Sequence, residues 1–134
     1  MINDTDNNPY SKQVLALSLA IANMTFGFGI FFPYLPLFAE SLGASLGLQI
    51  GLLTTGFMAA RTLTALPFGS ISDSIGRKNS IVVGLFAYGV ITLLFYLSQD
   101  WTHILLLRSL QGITAGLIWP SSRALIYDLS LIHI

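Results

Sequence analysis

The segment Gly69-Ser70-Ile71-Ser72-Asp73-Ser74-Ile75-Gly76-Arg77-Lys78 packs three charges into a chain that elsewhere goes long distances without one. Before it, Ser41–Ala60 runs 20 residues with no charged side chain; after it, Asn79–Gln99 runs 21. Further out, Gln13–Ala39 is a third such interval, of 27 residues. A bilayer crossing takes about 20 mainly apolar residues, so three spans follow. Ile104–Leu125, 22 residues long, contains Arg108 and Arg123 but is apolar between them, and reads as a fourth helix.

Composition agrees. Of 134 residues, 54% are hydrophobic and only 9% charged, where a soluble domain carries about a quarter charged. The fold class expected is therefore an all-α membrane protein with four transmembrane helices. Net charge is +0, with no concentrated basic cluster, which excludes a nucleic-acid partner held through its phosphates. The absence of cysteine rules out disulfides and thiolate metal sites. No Ser/His/Asp set, metal-ligand spacing or phosphate loop stands out, and His103 is a lone imidazole at a helix start. No enzyme, metal or cofactor is expected.

Along the chain, Met1–Lys12 is polar and turn-rich and reads as a short, poorly ordered tail. Asp4 and Asp6, together with the 24-residue apolar stretch Val14–Leu37, argue against a signal peptide. The helices are expected at Val14–Leu37, Leu46–Phe68, Ser80–Leu97 and Ile104–Leu125, with Pro33 and Pro36 loosening the first. Ser70–Asn79 is expected as a polar loop. Lys12, Arg77, Lys78 and Arg123 flank one side of the spans and no basic residue flanks the other. By the positive-inside rule the amino terminus and the 69–78 segment are cytoplasmic. The protein is expected to be multi-pass in the cell (plasma or inner) membrane.

Leu129-Ser130-Leu131-Ile132-His133-Ile134 resembles a translated transposase-type sequencing adapter, whose bases CTG TCT CTT ATA CAC ATC read Leu-Ser-Leu-Ile-His-Ile in frame. The expected division of the chain is thus a tail over 1–12, four helices over 13–128 and adapter read-through over 129–134, with the natural protein continuing past Asp128.

Within the 69–78 segment each residue has a physical use. Gly69 at a helix end permits close helix approach, Asp73 can face a helix amino terminus, and Gly76 permits a positive-φ turn. Arg77 and Lys78 anchor the cytoplasmic side and can pair with carboxylates. The segment resembles the hallmark loop of the major facilitator superfamily, Gly-x-Leu-Ala-Asp-Arg-x-Gly-Arg-Arg/Lys, between its second and third helices. Gly69, Asp73, Gly76, Arg77 and Lys78 match in register; Ser72 stands for the usual alanine and Ser74 for the first basic residue. Arg108-Ser109-Leu110-Gln111-Gly112 is similar to the family's helix 4 motif, Arg-x-x-Gln-Gly. Phe26-Gly27, Pro33 to Leu37, and Arg61 before Pro67-Phe68-Gly69 resemble its multidrug-efflux-like branch.

That resemblance implies part of the first six-helix half of a secondary transporter working by alternating access. It implies a lipid bilayer, a small-molecule substrate or drug, and protons as coupling ion. A guanidinium inside a span costs at least about 2.5–3.5 kcal/mol. The resemblance to proton-coupled members implies that Arg108 lines the central cavity and modulates protonation or binds an anionic group; the alternative is that it bonds backbone carbonyls of helix 1 or snorkels to the nearby external surface. Gln111 shares its helix face. Arg61, roughly 10 Å from the cytoplasmic end of its helix, is assigned a gating or structural role. Arg77 is expected to pair with Asp128 across the cytoplasmic face. Gly112-x-x-x-Gly116 and Gly47-x-x-x-Gly51 both suit close helix contacts. The aromatics Phe26, Phe28, Phe31, Phe32 and Tyr34 can line a drug pocket or face lipid.

Three other readings compete. A four-helix small multidrug exporter requires a membrane glutamate on helix 1, and Val14–Leu37 has none. A non-transport four-helix scaffold fits the hydropathy but not the two motifs. An uptake transporter of the same superfamily for a sugar or metabolite remains compatible, because a shared fold hosts many functions.

Overall fold

The structure is a computed structural model that describes residues 9–45 and 47–131. Four helices follow in order: α1 (Pro9–Ser41), α2 (Leu48–Ile75), α3 (Arg77–Leu94, continued by a 3-10 turn over Phe95–Leu97) and α4 (Trp101–Leu131). No strand occurs among the described residues, so the all-α expectation holds. Two stretches, Lys12–Ser41 and Arg77–Leu97, are by themselves long and apolar enough to cross a membrane.

The helices extend beyond their apolar cores. α1 begins at Pro9, so residues 9–12 are helical rather than tail, and it runs on through Pro33 and Pro36. Met1–Asn8 and Ile132–Ile134, with His133, lie outside the described residues. The expected loop Ser70–Asn79 is not a loop. α2 continues to Ile75 and α3 starts at Arg77, leaving Gly76 alone between them at φ 101°.

Hydroxyls explain this difference. Ser70 donates to the carbonyl of Pro67 at 2.9 Å and Ser74 to that of Ile71 at 2.8 Å. Polar side chains that bond back onto their own helix sit as well on a solvated helical turn as in a loop. The turn itself is closed by main chain: the Gly76 N–H donates to Ser72 O, and the Ser80 N–H to Gly76 O. Only glycine takes that positive φ without strain.

α4 packs chiefly on α2 and α3, and touches α1 less. The α2–α4 seam is a backbone contact. A Cβ added at Gly112 would meet the Phe57 carbonyl oxygen and lie 3.0 Å from Ala60 Cβ; one at Gly116 would lie 2.9 Å from the Arg61 carbonyl oxygen. On α3, a Cβ at Gly84 would come within 2.6 Å of Ile118 Cγ1.

Gly47 and Gly51, at the same four-residue spacing, have nothing within 4 Å, and neither has Gly69. Their expected role in close helix approach is therefore not seen among the described residues. α2 meets α4 through the row Phe57, Arg61, Thr64, and at its far end Ser72. Gly69 lies off that row, turned toward another face of the helix.

A compact apolar core closes the end opposite Gly76. Leu35, Ala39, Ala44, Leu53, Phe95 and Ile104 are buried together there, and the Trp101 N–H donates to the Leu42 carbonyl, tying the α1–α2 link to the start of α4. Elsewhere large apolar side chains face outward, Leu66 at 86% exposure and Phe86 at 75%. That is the surface of a chain with a hydrocarbon or protein neighbour.

The seam gives a direct expectation. Gly116→Leu should lower stability by about 1–3 kcal/mol, because the side chain meets backbone that cannot yield. Gly51→Ala should be neutral or slightly stabilising. Thermal unfolding of the two detergent-purified variants checks this, and equal behaviour would contradict the seam.

Candidate functional site: a buried cation beside an apolar cavity

Arg108 lies one helical turn before Gly112, so the close α2–α4 approach carries its side chain into the bundle. It is 1% exposed. Three rings surround the guanidinium carbon, with centroids at 5.7 Å (Phe28), 5.3 Å (Phe31) and 5.2 Å (Phe57). Each such contact contributes about 0.5–2 kcal/mol, more where water is excluded. The side chain neither snorkels to the surface nor reaches a carboxylate among the described residues.

Its hydrogen bonding runs in one direction. Arg108 Nη1 donates to Gln111 Oε1 at 3.1 Å, Gln111 Nε2 donates to Thr92 Oγ1 at 3.0 Å, and the Thr92 hydroxyl donates to the Tyr88 carbonyl at 2.8 Å. The chain links α4 to α3 and fixes which way the Gln111 amide points. Arg108 Nε is buried with no hydrogen-bond partner among the described residues. This is a cation whose donors are only partly satisfied, a costly arrangement in an apolar interior.

A cavity of about 640 Å³ opens between α1, α3 and α4. Met24, Phe28, Phe31 and Leu85 give it apolar walls, while Asn23, Tyr88, Thr92 and Gln111 supply polar atoms. It is an open, mainly apolar cleft. Gln111 lines it and Arg108 does not. Arg108 stands behind Phe28 and Phe31. Of the aromatics, Phe28 and Phe31 turn inward, whereas Phe26 is 70% exposed.

Arg61, one turn past Phe57, places its guanidinium 5.2 Å from the Trp119 ring of α4. At the Gly76 end, Arg77 joins three partners. Its Nε donates to Asp73 at 3.2 Å, and its Nη1 donates to the Ala124 carbonyl at 2.9 Å and to the Asp128 carboxylate. Asp73 thus faces Arg77 rather than a bare helix terminus. Lys78 is exposed on the first turn of α3. Ser72, the departure from alanine, is buried and hydrogen-bonds Ser121 at 2.7 Å. Thr92, Trp119 and Ser121 were not singled out from sequence; only the helix pairing reveals their partners.

The arrangement is that of a helical bundle with an internal polar network beside an open, mainly apolar cleft. The chain belongs to the Major Facilitator Superfamily, which it matches over residues 17–131, and whose members are membrane transporters. It is similar to the quinolone resistance protein NorA of Staphylococcus aureus (strain Mu50), 29% identical over 123 residues, covering 92% of this chain and 31% of NorA. It is also similar to an uncharacterized MFS-type transporter of Methanocaldococcus jannaschii, 34% identical over 109 residues, covering 81% of this chain and 28% of that protein. The chain spans less than a third of the length of these curated relatives.

A mutant cycle tests the network. Gln111→Leu removes the acceptor that Arg108 bonds among the described residues and should cost about 1.5–3 kcal/mol. The double variant Arg108→Met/Gln111→Leu should be more stable than Gln111→Leu alone, because replacing both partners leaves no stranded charge. Additive losses in thermal unfolding would show that the two side chains do not interact.

Proposed function

We propose that this chain forms helices 1–4 of the first six-helix half of a proton-coupled transporter that exports small, largely apolar molecules by alternating access. All four helices span the membrane in this reading, with the amino terminus and Gly76 cytoplasmic. Residues 13–128 are then the transporter part and 129–134 adapter read-through. The observation that carries the reading is the Arg108–Gln111–Thr92 chain ending at a mainly apolar cavity. A span that keeps a buried cation usually does so for function. The cavity wall favours an apolar drug over a sugar, which needs many hydrogen-bonding groups to replace its water. The likeness to a quinolone resistance protein supports quinolones as one substrate class.

Arg108 acts here as a positioning residue. It orients Gln111, which faces the substrate, and its charge biases protonation in the cavity. In the full-length gene product, Arg108→Ala should abolish proton-driven efflux of a fluoroquinolone while membrane expression stays near normal. Loss of efflux should appear as an unchanged transport rate when the proton gradient is collapsed. Normal coupled efflux by the variant would reduce Arg108 to a packing residue and remove the main support for this reading.

Arg77, Asp73 and Asp128 form a cytoplasmic latch in the same reading, with Gly69, Gly76 and Lys78 completing the loop motif and Arg61 on Trp119 bracing α2 against α4. Arg77 and Asp128 are 29% and 52% exposed, so the pair is weak by itself, yet a nearly balanced equilibrium between two transporter states responds to small biases. Arg77→Asp and Asp128→Arg should each lower transport, and the charge-swapped double variant should recover a measurable part. A double variant as inactive as the singles, at equal expression, would contradict the latch.

A further inference from the structure

The three rings around Arg108 come from two helices and differ in what they border. Phe57 of α2 is 3% exposed and does not line the 640 Å³ cleft. Phe28 and Phe31 of α1 touch the guanidinium and line the cleft as well. Gln111 does the same from α4, but it is tied to Arg108 and Thr92 by hydrogen bonds. The two rings of α1 are held by packing alone, so the cover they give Arg108 lasts as long as α1 stays in place.

α1 is gripped unevenly. At the end opposite Gly76, Leu35 and Ala39 are buried in the apolar core, and Phe31 meets the Phe95 ring edge-on at 5.3 Å. Next to this anchor stand Pro33 and Pro36, which deprive the carbonyls of Gly29 and Phe32 of their helical donors. On the far side of that weakened stretch, a Cβ added at Gly27 or Gly29 would meet nothing within 4 Å. Phe28 sits between those two glycines, and its ring rests on Phe57 at 5.8 Å. A helix anchored at one end and short of hydrogen bonds beside the anchor bends there. Phe31 stays with the anchor; Phe28 belongs to the part that swings.

We infer that Phe28 is a hinged lid on Arg108, with Phe31 as its fixed post and the Pro33–Pro36 stretch as its hinge. Seated, the ring separates the guanidinium from the cleft. Lifted with the inner part of α1, it uncovers a cation whose Nε has no hydrogen-bond partner among the described residues. Water or a hydrogen-bond-accepting group in the cleft can then reach it. Phe57, on the side away from the cleft, is a wall and not a lid. The inference rests on the packing of α1 against Arg108 and Phe57, and not on export or proton coupling.

The test is the rate at which phenylglyoxal, a small arginine reagent, modifies each arginine of the detergent-purified full-length protein, read by peptide mass spectrometry. Exposed Arg123 is the internal reference. Labelling of Arg108 follows the fraction of time the lid is open, so in the native protein it should run about tenfold or more below Arg123. Phe28→Ala should raise it about fivefold or more, whereas Phe57→Leu, which also removes a ring, should leave it within about twofold. Pro33→Ala/Pro36→Ala restores the missing helical donors and should slow it about threefold or more. If Phe28→Ala does not fold, Phe28→Leu gives the same direction with a smaller change. Native Arg108 that labels as fast as Arg123 has no lid, and an unchanged rate in Phe28→Ala places the barrier elsewhere in the full-length protein; either result overturns the inference. So does an equal rise in Phe57→Leu, which marks general loosening, or no slowing in the proline pair, which marks a fixed cover. The assay contains no proton gradient and no drug, so its outcome is independent of the efflux reading.

Discussion

Contact between the backbones of α2 and α4 at Gly112 and Gly116 fixes everything that follows in this bundle. With no side chain at those two positions, α4 lies directly on the carbonyls of Phe57 and Arg61. Four interactions are then strung along the two helices: Arg108 against Phe57, Trp119 under Arg61, Ser121 on Ser72, and the Asp128 carboxylate with Arg77 where α2 gives way to α3. Any side chain at Gly112 or Gly116 would separate the helices and disturb this series together, because neighbouring contacts on one seam are coupled.

The seam also explains how a cation is held in an apolar interior with no acid beside it among the described residues. Aromatic faces offer Arg108 a diffuse negative potential, and the Gln111 amide offers one directed acceptor. Neither neutralises the charge. The guanidinium therefore polarises its surroundings, and the hydrogen-bond chain carries that influence to Gln111 and Thr92 at the cavity. A salt-bridged arginine would be locally neutral and exert less effect. The surface cation Arg77, by contrast, has three hydrogen-bond partners and joins the α2–α3 turn to α4.

Much of the fold was legible because hydrocarbon imposes a simple rule: the charge-free interval Gln13–Ala39 lies within α1, and Asn79–Gln99 takes in most of α3 and the 3-10 turn that continues it. Helix ends were not legible. Ser70–Ile75 looked like a loop because it is polar, but serine hydroxyls bond to the helix that bears them, so polarity there does not report backbone conformation. Glycine spacing was equally ambiguous. Gly112-x-x-x-Gly116 and Gly47-x-x-x-Gly51 read alike, and only the presence of α2 against the first pair separates them. Arg108 and Gln111 could be placed on one face by counting, while Phe28 and Phe31 could not be told from Phe26 until α1 was set beside α4. Thr92, Trp119 and Ser121 carried no signal, since their partners are 19, 58 and 49 positions away.

The central claim, that α2 and α4 form one fixed seam, is tested most directly at Ser72 and Ser121, whose buried hydroxyl oxygens lie 2.7 Å apart. Residues 1–134 contain no cysteine, so Ser72→Cys/Ser121→Cys adds two thiols there, counted against the unsubstituted protein. Mild oxidation of the full-length protein in membranes, followed by denaturation and thiol counting, reads their proximity. The seam predicts near-complete loss of both thiols through an intramolecular disulfide, with and without a proton gradient. Two free thiols after oxidation, in protein that is folded by size-exclusion chromatography, would contradict it.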